Sequence, residues 1–331
     1  MASSAPSFDF DRSVGHVQPS QPVSWNRRDV LLYNVGVAAG ADELDYTYEK
    51  TDNFRAVPTY PLVLALKGDH VDTNDFAEMI SGRAEVPGFP KLDPNTIVHA
   101  EQSLIVHRNI PTVSGPGWQL KKQVTAVHDK KTGLILEGTS TLVDPVGRPY
   151  ATMVSSSFYR GQGQNTNYSK SISPKSPSVK APTDRKPDFT STEKTNAAQA
   201  VLYRLSGDYN PLHVDPAIGQ KGGLGGVILH GLCSYGIAAR AVLKSVNAKD
   251  GIQGESISRL RRMAARFTSP VRPGDELRTD VWVLSKDDQG RKVEVAFEQT
   301  VVGTGKKSLG GGYAEIVVAS PGEGESVSSR L

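Results

Sequence analysis

The chain of 331 residues holds a single cysteine, Cys233. One thiol excludes an intrachain disulfide and leaves no thiolate cluster for a structural metal, which fits a reducing interior compartment. Long apolar runs are also missing. None approaches the roughly 18 residues of a membrane-spanning helix, so no membrane span is expected. The opening MASSAPSFDFDRS has neither the apolar core of a secretory leader nor the arginine bias of a transit peptide. An excess of one charge is lacking too: 38 Lys and Arg against 35 Asp and Glu leave a net charge of +3. A pI of 8.8 therefore does not point to nucleic acid, while local basic groups remain for a phosphate-bearing ligand. What is left is a chain long enough for two domains of ordinary size.

Residues 1–23 are polar and contain proline, and they are expected to be disordered. A helix follows, with Ser24 as N-cap and Val30, Leu31, Tyr33 and Val37 on its apolar face. Residues 44–49 alternate as a short strand, and 74–81 suit a short helix. From Ile97 come four strand-like runs, 97–108, 118–128, 134–143 and 150–159, joined by turns rich in Gly and Pro. That is an antiparallel meander. Residues 161–190, rich in Ser, Pro, Lys, Gly and Asn, read as an interdomain linker. The pattern then restarts: a helix at 193–205, a long helix at 231–246, and strands near 257–270, 276–285, 291–302 and 309–319.

The two halves match in places. Pro116 and Pro273, Gly117 and Gly274, Leu120 and Leu277, Val124 and Val281, Gly133 and Gly290 are each 157 positions apart, which argues for an internal repeat. Upstream, Leu32–Gly36 loosely parallels Leu202–Gly207. There the halves diverge, because the second continues into Asp208 and His213 and the first into Val37–Asp42, with no imidazole.

Asp208 and His213 are five residues apart, out of step for one helix face. Gly207 and Pro211 supply a turn that lets both side chains point into one cleft. The glycines at 222, 223, 225 and 226 lead to the helix that begins at Gly231. Unpaired N–H groups at that helix start suit a developing oxyanion. An acid, a base and an oxyanion donor imply chemistry next to a carbonyl.

The stretch YRLSGDYNPLH (Tyr203–His213), followed by ILHGLC (Ile228–Cys233), closely resembles the signature of the hydratase 2 family, the (R)-specific enoyl-CoA hydratases of the MaoC-like group. The resemblance implies an α+β double hot dog, two sheet-plus-helix repeats of which the N-terminal one is degenerate. It covers most of residues 25–319 and divides the chain into an N-terminal repeat (24–160) that accommodates the acyl chain, the linker, a catalytic repeat (191–320) and a tail (321–331). It implies that Asp208 and His213 are the catalytic pair, supported by Asn210, with the Gly231 amide as oxyanion donor. His99, Ala100, Lys130, Arg266 and Phe267 are implied to border the acyl-CoA; the family commonly has glycine where Ala100 stands. No cofactor or metal is implied, and a homodimer is expected because hot dog sheets often pair. The final Ser329-Arg330-Leu331 is a conservative variant of a peroxisomal address, so an import receptor and the peroxisomal matrix are expected.

Plainer readings stand beside these. Taken singly, Asp208 is a turn residue and His213 a satisfied loop histidine; within the full motif the catalytic reading prevails. His230 and Cys233 are read as packing and capping the long helix, since no further ligands lie near. A dinucleotide loop would need glycine where Ile228 stands. Arg259, Arg261, Arg262 and Arg266 crowd one strand, as a solvated face or as partners for coenzyme A phosphates. The expected function is (3R)-specific hydration of trans-2-enoyl-CoA in peroxisomal fatty acid β-oxidation. Its rivals are a hot dog thioesterase, a non-catalytic acyl-CoA binder and a MaoC-like dehydratase of secondary metabolism.

Overall fold

The computed structural model describes residues 8–82, 84–93, 96–249, 258–288 and 291–318. Gly290 and the tail with Ser329-Arg330-Leu331 lie outside the described residues. In chain order, the first half comprises α1 (Phe10–Ser13), β1 (Val17–Pro22), α2 (Arg27–Gly36), α3 (Leu44–Thr47), a 3-10 turn (Tyr60–Val63) leading into α4 (Leu64–Lys67), α5 (Phe76–Ser81), and the strands β2 (Ile97–Val106), β3 (Gln119–Lys130), β4 (Gly133–Val143) and β5 (Pro149–Arg160). The connection carries β6 (Ser169–Ser171). The second half comprises β7 (Phe189–Lys194), α6 (Gln199–Arg204), a 3-10 turn (Pro211–His213), α7 (Pro216–Lys221), α8 (Gly231–Lys249), β8 (Ser258–Phe267), β9 (Glu276–Lys286), β10 (Lys292–Val301) and β11 (Lys307–Val318).

The strands form one sheet in the order β1-β3-β4-β5-β2-β8-β11-β10-β9-β7, with β6 paired to β3 off that path. Counted outward from the middle, each half has the same order, so a pseudo-twofold axis lies between β2 and β8. Those two strands pair antiparallel from Glu101 opposite Arg266 to Ile105 opposite Arg262. This is the double hot dog. The repeat read from the sequence has a physical basis: Gly117 and Gly274 both adopt positive φ, +87° and +91°, and Leu120, Leu277, Val124 and Val281 are buried at matching places on β3 and β9.

Alternation along the strands separates the two faces of the sheet. On β10, Val295 and Phe297 enter the main core, whereas Ala296 packs on the opposite face with Trp282 and Ala181. The main core encloses α8, whose Tyr235, Ala238, Ala239 and Val242 are fully buried. A helix apolar on every side needs cover on every side. The sheet covers one side, and the end of α2 covers another: a Cβ added at Gly236 would lie 2.5 Å from Val37 Cγ1. Arg240, buried on α8, pairs with Glu43, reaches Glu193 at 3.4 Å and donates to the Val37 carbonyl at 3.1 Å. Removing Glu43 would leave this charge poorly compensated, at a cost of about 3–5 kcal/mol.

The first half has no counterpart of α8 among the described residues. Its sheet is backed by short segments, and Trp25, Tyr60 and Trp118 pack edge to face at centroid distances of 6.2 and 4.9 Å. No helix among the described residues is long and apolar enough to cross a membrane.

Several local expectations need correction. The N-terminal region expected to be disordered carries α1 and β1 from Phe10 onward. β1 pairs with β3 at the sheet edge, where Pro19 and Pro22 are tolerated, and Phe10 is buried with Val127 and Leu134. The first helix is capped by Asn26, not Ser24, through a capping box with Asp29. Residues 44–47 are helical, because buried Asn34 donates to the Tyr46 and Arg55 carbonyls at 2.8 and 2.9 Å and accepts from the Val57 amide at 2.8 Å. The expected helix at 193–205 splits, since residues 189–194 pair with β9 as an edge strand. The linker at 161–190 is strapped along the sheet: Ile172 N–H donates to Thr125, Val179 to Gly311 and Asp188 to Val281.

Asp129 fastens the start of that strap. Its carboxylate accepts from the Gln164 amide at 2.8 Å and from the Thr166 amide and hydroxyl at 2.6 Å each. Burial pushes its pKa up, but the Thr166 and Gln164 donors outweigh this and hold it below the ordinary carboxylate value. Asp129→Ala is expected to lower stability by about 2–3 kcal/mol, because two amides lose their acceptor. A depressed folded-state pKa also means that the contribution is present above the unfolded value of 3.8 and is lost as pH falls through the lower folded value. Urea titrations at pH 7 and pH 3 read both effects: the gap between variant and wild type should shrink at the lower pH, and a constant gap contradicts the assignment.

Candidate active site

The acid is placed by a close approach that only glycine permits. At Gly207 φ is +126°, and a Cβ there would meet Lys67 Cβ, Cα and N at 2.6, 2.8 and 2.9 Å. From this corner the chain folds on itself. The Asn210 amide donates to Asp208 Oδ1 at 3.3 Å, the Asn210 side chain accepts from the Leu212 amide at 3.0 Å, and the His213 amide donates to the Asn210 carbonyl at 3.2 Å. Asn210 supports the pair by holding this turn. Asp208, His213 and His230 each bring a carboxylate oxygen or ring nitrogen within 4.8 Å of the others. That separation is about one hydrogen-bonded water wide.

The tautomers follow from the acceptors. His213 Nδ1 lies 2.9 Å from the Ile228 carbonyl, which can only accept, so Nδ1 carries the proton. Burial pushes the His213 pKa below the ordinary imidazole value, although Asp208 and the Ile228 carbonyl oppose the shift. The ring is therefore neutral near pH 7, with Nε2 bare. His230 has the opposite tautomer: its Nε2 lies 3.2 Å from the Asp208 carbonyl and carries the proton. Burial, then the neighbouring His213, holds His230 well below the ordinary value. The two rings stack at 3.7 Å with an interplanar angle of 27°, and Tyr203 lies 4.8 Å from His230. Sequence reasoning assigned His230 to helix packing. Its place in the ILHGLC stretch, directly before Gly231, was the signal that it would stand inside the site.

Gly231 opens α8, so its amide has no intrahelical acceptor and sits at the positive end of a 19-residue helix. Phe267 covers it closely, with a Cβ at Gly231 falling 3.0 Å from the ring. His99 packs against Phe267, with ring centroids 4.6 Å apart. Burial pushes its pKa to about 4, partly offset by hydrogen bonding with Glu101 and Gln102. Ala100 is the extra residue where the β2–β5 register shifts between His99 and Glu101. Arg266 is exposed at the seam opposite Glu101. His99, Phe267 and Gly231 thus come together, with Ala100 and Arg266 adjoining in the chain. Lys130 does not join them: it is exposed at the end of β3, three strands or about 14 Å from β2.

Asp208, His213 and His230 are a metal-ligand set by residue type. Their geometry is wrong for one ion, because two stacked rings in nearly parallel planes cannot both aim a lone pair at a point about 2.1 Å away. Cys233 is buried against the Gly36 carbonyl, and burial pushes its thiol pKa up, so it is no nucleophile. Arg272, unremarked in the sequence, holds the glycine loop by donating to the Val227 and Leu224 carbonyls at 3.0 and 2.6 Å.

The fold and the site together define a double hot dog protein built for acid–base chemistry beside a carbonyl at a helix N-terminus. Residues 23–161 match the MFE-2 hydratase 2 N-terminal domain, and residues 178–304 match the MaoC like domain. The chain is 38% identical over 269 residues to a probable dehydratase NIT22 of Ajellomyces capsulatus, covering 78% of this chain and 68% of that protein. It is 32% identical over 331 residues to a peroxisomal enoyl-CoA hydratase 2 of Arabidopsis thaliana, covering 96% and 98%. Among solved structures, a MaoC-like dehydratase from Phytophthora capsici superposes with a TM-score of 0.80 at 35% identity, covering 94% and 98%. The chain belongs to the MaoC-like hydratase 2 family.

A base held below its ordinary pKa sets the acid side of the pH profile. With His213 proposed as the base, the acid limb of kcat/KM is expected below the usual imidazole value of about 6.5. A limb above pH 7 in initial-rate measurements contradicts this electrostatic assignment.

Proposed function

We infer that the protein is a (3R)-specific enoyl-CoA hydratase, converting trans-2-enoyl-CoA and water reversibly into (3R)-3-hydroxyacyl-CoA in peroxisomal fatty acid β-oxidation. One observation carries the reading: the Asp208 carboxylate and the His213 imidazole bring an oxygen and a ring nitrogen within 4.8 Å of each other beside a helix start. Water held between Asp208 and His213 gives a proton to His213 Nε2 while its oxygen bonds to C3 of the enoyl group. The electron pair of the C2–C3 double bond moves towards the thioester, whose oxygen takes up charge at the Gly231 amide. Asp208 stabilises the imidazolium, which returns the proton to C2. Atoms balance as addition of one water, and the reverse is a dehydration.

His99, Ala100, Phe267 and Arg266 are assigned to the acyl-CoA, the exposed Arg266 suiting a phosphate, with Lys130 at the outer reach of an extended coenzyme A. The acyl tail is assigned to residues 24–160, where short segments replace a long helix. The peroxisomal address is supported by the name of the Arabidopsis relative. A fluorescent fusion that stays in peroxisomes after removal of Ser329–Leu331 contradicts import through that tripeptide. The homodimer rests on the pairing habit of hot dog sheets, and a solution mass near 35.6 kDa rather than twice that refutes it.

The central test is hydration of crotonyl- to decenoyl-CoA with chiral product analysis. Wild type should form the (3R) product without releasing free CoA, which a thioesterase would release. Asp208→Ala and His213→Ala should each lower kcat by about 10²–10⁴-fold with unchanged circular dichroism. Near-normal turnover in both variants rejects the reading.

A further inference from the structure

We propose that His230 is a positioning residue of this site, holding the Asp208 turn by its ring edge and the His213 imidazole by its ring face. The proposal rests on the hydratase reading above. His230 is buried, and its Nδ1 has no hydrogen-bond partner among the described residues. A bare nitrogen in that place is unfavourable, and a phenyl ring would avoid it. Packing alone therefore does not account for an imidazole. Its other edge does, because Nε2–H donates across 22 positions of sequence to the main-chain carbonyl of the residue that carries the acid.

Its face does a second job. Stacked at 3.7 Å, it limits rotation of the His213 ring about the Nδ1–H bond to Ile228 and so fixes where the bare Nε2 lies. The carbonyl of His230 accepts from the Cys233 and Ser234 amides at 3.0 and 3.3 Å, closing the first turn of α8. One residue thus touches the acid through its peptide and the base through its ring, and is bonded to Gly231. A misplacement of about 1 Å among such groups is worth roughly 10²-fold in rate.

Two variants divide the roles. His230→Phe keeps a face and loses the donor; His230→Asn keeps a donor and loses the face. Each is expected to lower kcat about 10–100-fold with KM within about threefold and the melting temperature nearly unchanged. On a His213→Ala background the His230→Asn change should not lower kcat further by more than about twofold, because the ring face has nothing left to act on. Wild-type kcat in both variants, or a His230→Asn loss that persists in full on the His213→Ala background, overturns the proposal. The ring is also read apart from catalysis. Nitrogen-15 shifts should show a protonated Nε2 and a bare Nδ1 at His230, and the reverse tautomer overturns the positioning role whatever the substrate. Absence of hydration by wild type, with that tautomer present, counts against the functional reading instead.

Discussion

Enclosure of α8 is the constraint from which the rest of this structure follows. A helix buried continuously from Leu232 to Leu243 must be wrapped, and the pairing of β2 with β8 makes a sheet broad enough to carry both the wrapping and the site. The first half meets the helix through Val37 at Gly236 and through the Arg240–Glu43 pair, whose arginine also reaches Glu193 on β7. The N-terminus of α8 consequently has nowhere to move. It emerges against Phe267 and the Asp208 turn, so the Gly231 amide is placed by core packing rather than by a loop.

The electrostatics follow from the same enclosure. Burial depresses the pKa of His213, His230 and His99 alike, and neutral His213 and His230 then take tautomers dictated by neighbouring carbonyls. A stack of two imidazoles tolerates at most one charge, and Asp208 beside His213 determines which ring would carry it. Base strength and base orientation thus have one origin.

Pseudo-symmetry makes the division of labour visible. α2 and α6 pack on each other, with Tyr33 and Tyr203 rings 5.9 Å apart, and Gly36 lies so close that a Cβ would be 3.4 Å from Tyr203 Cα. In the loose repeat Val37 stands where Asp208 stands. It is fully buried against α8 and can do no proton transfer. One half carries the acid and the imidazole on this turn, and the equivalent turn of the other is part of the wall around α8.

Much of this was legible in the chain because it is encoded by local patterns. The alternating runs became strands within a few residues, Gly117 and Gly274 announced the repeated turn, and the Asp208–His213 motif marked the site through Gly207 and Pro211, whose backbone preferences act over one or two residues. Contacts distant in sequence decided what was misread: Asn34 coils residues 44–47 into a helix, the open edge of β9 draws 189–194 into a strand, and the sheet straps the linker down. The same holds for His230. Composition and spacing determine that an imidazole precedes Gly231, but only packing brings it onto His213 and under the Asp208 carbonyl, since a side chain's partners 17 and 22 positions away are set by how helix and turn meet in space.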